Sequence, residues 1–290
     1  MLECVANVSE GRSRQVLQTI AAAAGASLLD VHADPDHHRS VFTLAGPGHD
    51  DAGPAARDLA RAVAANVSIA GHNGVHPRLG ALDVVPFVAL GGIEGERARA
   101  ADTAREFAKW WAEVHDVPVF LYGDADPGNR SLPDIRRHAF EIRKPDFGPD
   151  APHPALGATA VGARKPLVAV NLVLGTGDVA IARRIAREIR EQNGGRPGVR
   201  ALGFMLESQG RPQVSMNLVD LDRTGLEAAC LEVRDLARRE HTDVVSVEVV
   251  GLVPGAELDR CSDEFRAWAR LDAEITIEAR VGRGNPVAGG

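Results

Sequence analysis

The sequence predicts an α+β protein of two ferredoxin-like units, each running strand, helix, strand, strand, helix, strand. Three observations carry this reading. A chain of 290 residues exceeds what one core usually organises, so two modest domains are expected. The same order of helix-period and strand-like segments occurs twice, without obvious sequence identity between the halves. Between the two runs, residues 144–157 hold four prolines in fourteen positions, which admits neither a helix nor a central strand.

The first unit opens with ECVAN as a short strand. RSRQVLQTIAAAAG follows as a helix with Val16, Leu17, Ile20, Ala21 and Ala24 on one face, and Ser9 or Gly11 stands where it would begin. SLLDVHA and RSVFTLAG read as strands, the second alternating Val41 and Thr43 against Phe42 and Leu44, with the polar turn DPDHH between them. Ala56, Leu59, Ala60, Val63 and Val67 recur at helical spacing, and a Gly/His/Pro loop then feeds the strand ALDVVPFVAL. A helix with Ala101, Ala104, Phe107, Ala108 and Trp111, the strand VPVFLYG and the breaker-rich DADPGNRSLP are additions to this unit.

The second series begins at GARKPLVAVNLVL. A helix carrying Val179, Ala182, Ile185, Ala186 and Ile189 comes next, then the strands VRALGFML and RPQVSMNLVD. A helix with Leu226, Ala229, Cys230, Val233 and Leu236 and the strand VVSVEVVGLV complete it. The boundary is placed at Pro166, giving domains 1–166 and 167–290.

A net charge of −7 and a pI near 5.8 argue against nucleic acid or acidic membranes as the main partner, because both demand a positive face. An anionic substrate therefore has to meet a local basic pocket. Cys4, Cys230 and Cys261 are scattered with no CxxC spacing, which suits a reducing compartment and no disulfide framework. Met1 leads straight into LECVANVSEGR, and no run of about 18 apolar residues occurs, so a cytoplasmic protein without a membrane span is expected.

The chemistry concentrates in the loop GHNGVHPRLGALDVVPF at 71–87. His76, between Val75 and Pro77 in a loop feeding a strand, can exchange protons near neutral pH. It can equally serve only to hydrogen-bond the turn, and on these grounds His72 is comparable to it. Asn73, Arg78 and Asp83 lie close enough in sequence to converge with them, and Asp83 is a candidate to orient the histidine. Asp34, Asp36, His37, His38 and Arg39 form a second polar cluster, either metal ligands or a solvated turn. Asn7, Ser9 and Glu10 either hold an anion at a helix start or cap that helix. GTGDVA reads as a strand-to-helix turn, and no GxSxG or HExxH motif appears.

Taken together, ECVANVSEGR, HPRLGALDVVPF, PDFGP with GATAVGARK, and QVSMNLVD with VEVVGLVP resemble the glutamate formiminotransferase family in order and spacing, from Glu3 to about Pro254. The resemblance implies two α/β subdomains with sheets facing a substrate tunnel, in a homodimer. The implied reaction is transfer of the formimino group from N-formimino-L-glutamate to tetrahydrofolate, giving L-glutamate and 5-formimino-tetrahydrofolate in histidine breakdown. It selects His76 over His72 as the catalytic histidine, acting as general base and then general acid. It assigns folate binding to Gly148, Pro149, Asp150, Ala151, Pro152, His153, Pro154, Ala155, Leu156 and Gly157, and no metal. Asn7, Arg78 and Arg164, in the matching segments, are the candidates for substrate contacts.

Bifunctional family members continue into a cyclodeaminase domain, whereas this chain ends at Gly290, so the second reaction is expected in another protein. Val75 stands where better-known members carry an acidic residue, which leaves formyl transfer from N-formyl-glutamate as an alternative. A metal-dependent hydrolase of formimino- or formyl-glutamate, with His32, His37, His38 or His72 as ligands, is the competing enzyme class. A folate-binding module without donor chemistry is the non-enzymatic one.

Overall fold

A computed structural model describes residues 1–46, 48, 51–74, 77–91 and 95–283. It divides into two compact units, Met1–Lys165 and Pro166–Gly282.

In the first unit, β1 (Leu2–Val8), α1 (Arg14–Ala24), β2 (Leu28–Asp34), β3 (Arg39–Ala45), α2 (Ala52–Asn66) and β4 (Leu82–Ala89) follow in chain order. The four strands lie antiparallel in the order β2-β3-β1-β4, the ferredoxin-like arrangement expected. Then α3 (Glu96–His115) leads to β5 (Val119–Gly123), and α4 (Leu132–His138) to β6 (Thr159–Arg164). These two strands extend the sheet parallel to β4, in the order β4-β6-β5.

Alternation along the strands sorts the faces. Cys4, Ala6 and Val8 of β1 and Phe42 and Leu44 of β3 are fully buried against Leu59 and Val63 of α2 and Phe107 and Trp111 of α3. The Trp111 indole donates to Thr159 Oγ1 at 2.9 Å, and that hydroxyl donates to Leu82 O at 2.7 Å, so the core's largest ring leaves no buried donor unmet. On the opposite face Ile135 of α4 packs into a second apolar cluster with Val84, Phe120, Tyr122, Ala158 and Ala160.

The second unit repeats the frame: β7 (Val168–Leu174), α5 (Val179–Ile189), β8 (Val199–Leu206), β9 (Arg211–Leu218), α6 (Leu226–Arg239) and β10 (Val244–Val250), antiparallel in the order β10-β7-β9-β8. Short helices α7 (Gly255–Asp259), α8 (Asp263–Ala269) and α9 (Ile277–Arg283) follow. Asp178 caps α5 by accepting from Ala180 N, so GTGDVA is the strand-to-helix turn expected.

Three expectations change. GARKPLVAVNLVL is two strands in two sheets, since β6 ends at Arg164 and β7 starts at Val168; Pro166 between them has no N–H to continue a ladder. Neither Ser9 nor Gly11 stands at the start of the first helix. Ser13 caps it, accepting from Val16 N, while Ser9 Oγ donates to Gly80 O. Helices α4, α7, α8 and α9 were not anticipated.

Candidate functional site

Three segments of the first unit meet beyond the C-terminal end of β1: residues 9–12, the turn joining β2 to β3, and residues 68–74 and 77–81 ahead of β4. Glu10 accepts the N–H groups of Arg12 (2.7 Å) and Ser13 (2.9 Å), so the donors that sequence offered to an anion are satisfied by the chain's own carboxylate. The two histidines of the DPDHH turn point to different partners. His37 Nδ1 lies 2.5 Å from Asp34 Oδ2, whereas His38 Nδ1 accepts from Gly11 N at 3.2 Å and lies 3.7 Å from Glu10. The His38 ring packs 4.0 Å from that of His72, and Arg78 Nη1 lies 2.5 and 2.9 Å from the two His72 ring nitrogens. The loop passes close under the turn at Gly74, where a Cβ would stand 2.5 Å from His37 O.

Burial lowers the His72 imidazole, and Arg78 and His38 lower it further. Burial likewise lowers His38, with Glu10 opposing and Arg12 and Arg78 adding. Both rings are therefore neutral near pH 7, and the positive charge of this region resides on guanidiniums. Among the described residues no group of three or more His, Cys, Asp or Glu is disposed to hold a metal ion. The Asp34–His37 and Glu10–His38 contacts are separate pairs.

Asp83 is the centre of a buried ion cluster. Strict alternation would send it into the helix-side core together with Val85. Instead β4 carries one extra residue against β1, pairing Asn7 with Val84 but Val8 with Leu82. Leu82 and Val85 thereby both face the helices, and Asp83 turns to the other side, beside Asn7. There it receives Arg39 Nη1 at 2.5 Å and Arg136 Nη2 at 2.6 Å through Oδ2, and the Leu79 N–H at 2.5 Å through Oδ1. Arg39 also donates to Asn7 Oδ1 from Nε (3.2 Å) and Nη2 (2.9 Å). Burial alone would raise the fully enclosed carboxyl, but Arg39, Arg136 and the Leu79 amide hold it well below the ordinary carboxylate range. Asp83 is thus ionised and holds both guanidiniums and the loop.

The stretch implied for folate lies against the same loop. His153 and Gly157 exchange backbone hydrogen bonds (2.9 and 2.8 Å), and His153 Nδ1 accepts from Ala155 N and Leu156 N. Ala155 O accepts from Ile69 N at 2.9 Å and Leu156 O from Ala81 N at 2.9 Å, so the two segments are joined at both ends of 69–81. At Gly80 a Cβ would collide with Leu156 O and Ala158 O, which is why glycine stands where the two chains cross. Asp150, Ala151, Pro152 and Pro154 are exposed, while Leu156 and Gly157 are buried.

Of the sequence-predicted residues, Asn7, His72, Arg78, Asp83 and the 148–157 stretch come together here. His76 and Val75 lie outside the described residues; Gly74 and Pro77 on either side are in place. Arg164 lies farther along the sheet, paired in register with Val88, four residues along β4 from Val84, and its guanidinium reaches Tyr122, on which the charge of Arg136 also bears. Sequence reasoning passed over Arg39 as part of a solvated turn and missed Arg136 altogether. The signal for the latter was Ser131 followed three residues later by Asp134, a helix start that α4 uses.

Comparison with known proteins agrees along the chain. The formiminotransferase domain, N-terminal subdomain, matches residues 1–164, and the formiminotransferase domain matches 169–274. The chain is 37% identical over 275 residues to a glutamate formimidoyltransferase of Streptococcus pyogenes serotype M1, covering 89% of this chain and 90% of that one. It is 37% identical over 271 residues to a glutamate formimidoyltransferase of Thermoplasma acidophilum, 88% of each. A formimidoyltransferase-cyclodeaminase of Sus scrofa is 39% identical over 280 residues, and there the match spans 50% of the relative's length.

Proposed function

The chain belongs to the formiminotransferase family, and from that premise we propose that it transfers the formimino group of N-formimino-L-glutamate to N5 of tetrahydrofolate, releasing L-glutamate. The observation that carries the reading is the near end-to-end match to a protein named glutamate formimidoyltransferase, with both family domains present in order.

The reaction needs a proton moved. Folate N5 attacks the formimino carbon and gives up its proton; the glutamate nitrogen takes one as its bond to that carbon breaks. His76 serves both steps, as base and then as acid, because an imidazole can take up a proton on one ring nitrogen and give it back, the side chain best suited to such a shuttle near neutrality. Such assistance contributes about 100- to 10,000-fold, and the rest comes from holding the two substrates in attack geometry. Gly148 through Gly157 form the folate wall, a backbone-built surface preformed by its bonds to 69–81. Glutamyl carboxylates meet the guanidiniums of Arg12 and Arg78, both close enough to His38 to lower its imidazole.

Domains 1–166 and 167–290 are the N- and C-terminal formiminotransferase subdomains. The enzyme works as a homodimer in the cytoplasm, in keeping with three buried free cysteines; no described helix is long and apolar enough to cross a membrane.

The test is a donor panel. Purified protein is given tetrahydrofolate with N-formimino-L-glutamate or N-formyl-L-glutamate, with and without a chelator, and products are followed by mass spectrometry. Chelator-insensitive formation of 5-formimino-tetrahydrofolate with equimolar glutamate is expected. Turnover of the formyl donor alone, or folate-independent release of glutamate abolished by the chelator, would sink the reading.

A further inference from the structure

The exit of the loop that carries His76 is held by a side chain 59 residues away in sequence. Arg136 of α4 donates from Nη1 to Pro77 O at 2.7 Å and from Nη2 to Asp83 Oδ2 at 2.6 Å. Asp83 in turn accepts the Leu79 N–H. The carbonyl before Arg78 and the amide after it are therefore gripped by one ion pair. Pro77 follows His76 directly, and its ring fixes φ near −65°. With that torsion locked, anchoring the Pro77 carbonyl fixes the backbone of Pro77 itself.

The grip stands on a rigid base. Ile135, next to Arg136, is fully buried with Phe120 and Tyr122, and Leu79 packs against the same cluster. A guanidinium suits the task because its planar fork presents two donors at a fixed angle, one for a carbonyl and one for a carboxylate, whereas an ammonium offers a single point of charge.

We propose that Arg136 is a positioning residue for formimino transfer, fixing through Pro77 and Asp83 the loop exit from which His76 acts. The proposal rests on the reading of His76 as the proton shuttle. A displacement of about 1 Å at a reacting group costs about 100-fold in rate, so Arg136→Ala should lower kcat by about that factor. The KM values for both substrates should stay within about threefold, because the lost contact acts on the transition state rather than on binding. Added guanidinium should restore kcat of Arg136→Ala at least about tenfold, and Arg136→Lys should recover less than the rescued variant.

Kinetics of Arg136→Ala, Arg136→Lys and His76→Ala, measured side by side, decide it. Unchanged kcat in Arg136→Ala overturns the proposal. So does a rise of about tenfold or more in the donor KM at unchanged kcat, which would make Arg136 a carboxylate-binding residue. A fall in kcat that guanidinium does not restore also overturns it, pointing to a purely structural role. If Arg136→Ala fails to fold, Arg136→Lys takes its place, and wild-type kcat there overturns the proposal. Wild-type turnover in His76→Ala removes the underlying reading itself, whereas an inactive His76→Ala beside a fully active Arg136→Ala removes only the role of Arg136.

Discussion

The last strand of each ferredoxin-like frame begins with the same irregularity, put to opposite uses. Asp83 is the extra residue of β4 against β1, and Val245 is the extra residue of β10 against β7. Each bulge lets residues three apart face the helices, Leu82 with Val85 in one unit and Val244 with Val247 in the other. The residue turned away is a fully buried carboxylate in the first unit and a valine 49% exposed in the second. The frame thus offers a re-aimed position twice, and only the first unit places charge there. The second unit uses its own buried carboxylate for architecture. Glu257 accepts the Leu226 N–H at 2.6 Å and so caps α6, which starts at a glycine with no side chain to do it.

The contrast predicts unequal costs. Asp83→Ala leaves Arg39 and Arg136 without their carboxylate and should destabilise the protein by about 3–5 kcal/mol, seen as a lower urea midpoint, with transfer activity lost. A cost below about 1 kcal/mol would mean the cluster is not the anchor described.

Acid unfolding should then separate the two carboxylates by sign. Asp83 binds its proton less tightly folded than unfolded, so its contribution is complete above the ordinary aspartate pKa of about 3.9 and is lost as pH falls through the lowered value. For Glu257, burial raises the carboxyl against the pull of Leu226 N–H and Arg260, so its contribution is complete below about 4.3 and lost as pH rises through the raised value. Urea midpoints from about pH 2.5 to 7 should therefore drop with acid less steeply in Asp83→Asn than in the unaltered protein. Glu257→Gln should gain on the unaltered protein as pH rises. Parallel curves for all three would contradict the assignment.

Smaller effects follow in the second unit. Glu257→Ala strands the Leu226 amide and should cost about 1–2 kcal/mol without touching kcat per folded molecule. Val245→Thr, at the matching bulge, should stay within about 0.5 kcal/mol and leave transfer intact. A loss at Val245 comparable to that at Asp83 would show that the bulge itself, rather than its charge, is what matters.

Much of this was legible in sequence. Hydrophobic period marks both βαββαβ frames, and polar residues mark the loop at 71–87. The orientation of Asp83 was not, because a bulge breaks the period-two rule on which strand faces are read, and nothing in LDVVPF announces it. Arg136 was hidden for another reason. Its helix begins inside a run of Asp, Pro, Gly and Asn that reads as loop, and only the Ser131 to Asp134 spacing marked a helix start. His38 sits in a turn whose composition suggests solvent and Arg39 opens the strand after it, and only the long-range contacts to Asn7, Asp83 and Gly11 give them a role.

The most direct test follows the formimino carbon itself. With N-formimino-L-glutamate labelled at that carbon and excess tetrahydrofolate, the label should appear on folate in step with glutamate release, and His76→Asn should slow its arrival about 100-fold or more. Label released as formamide, or transfer at full speed in His76→Asn, would contradict the account.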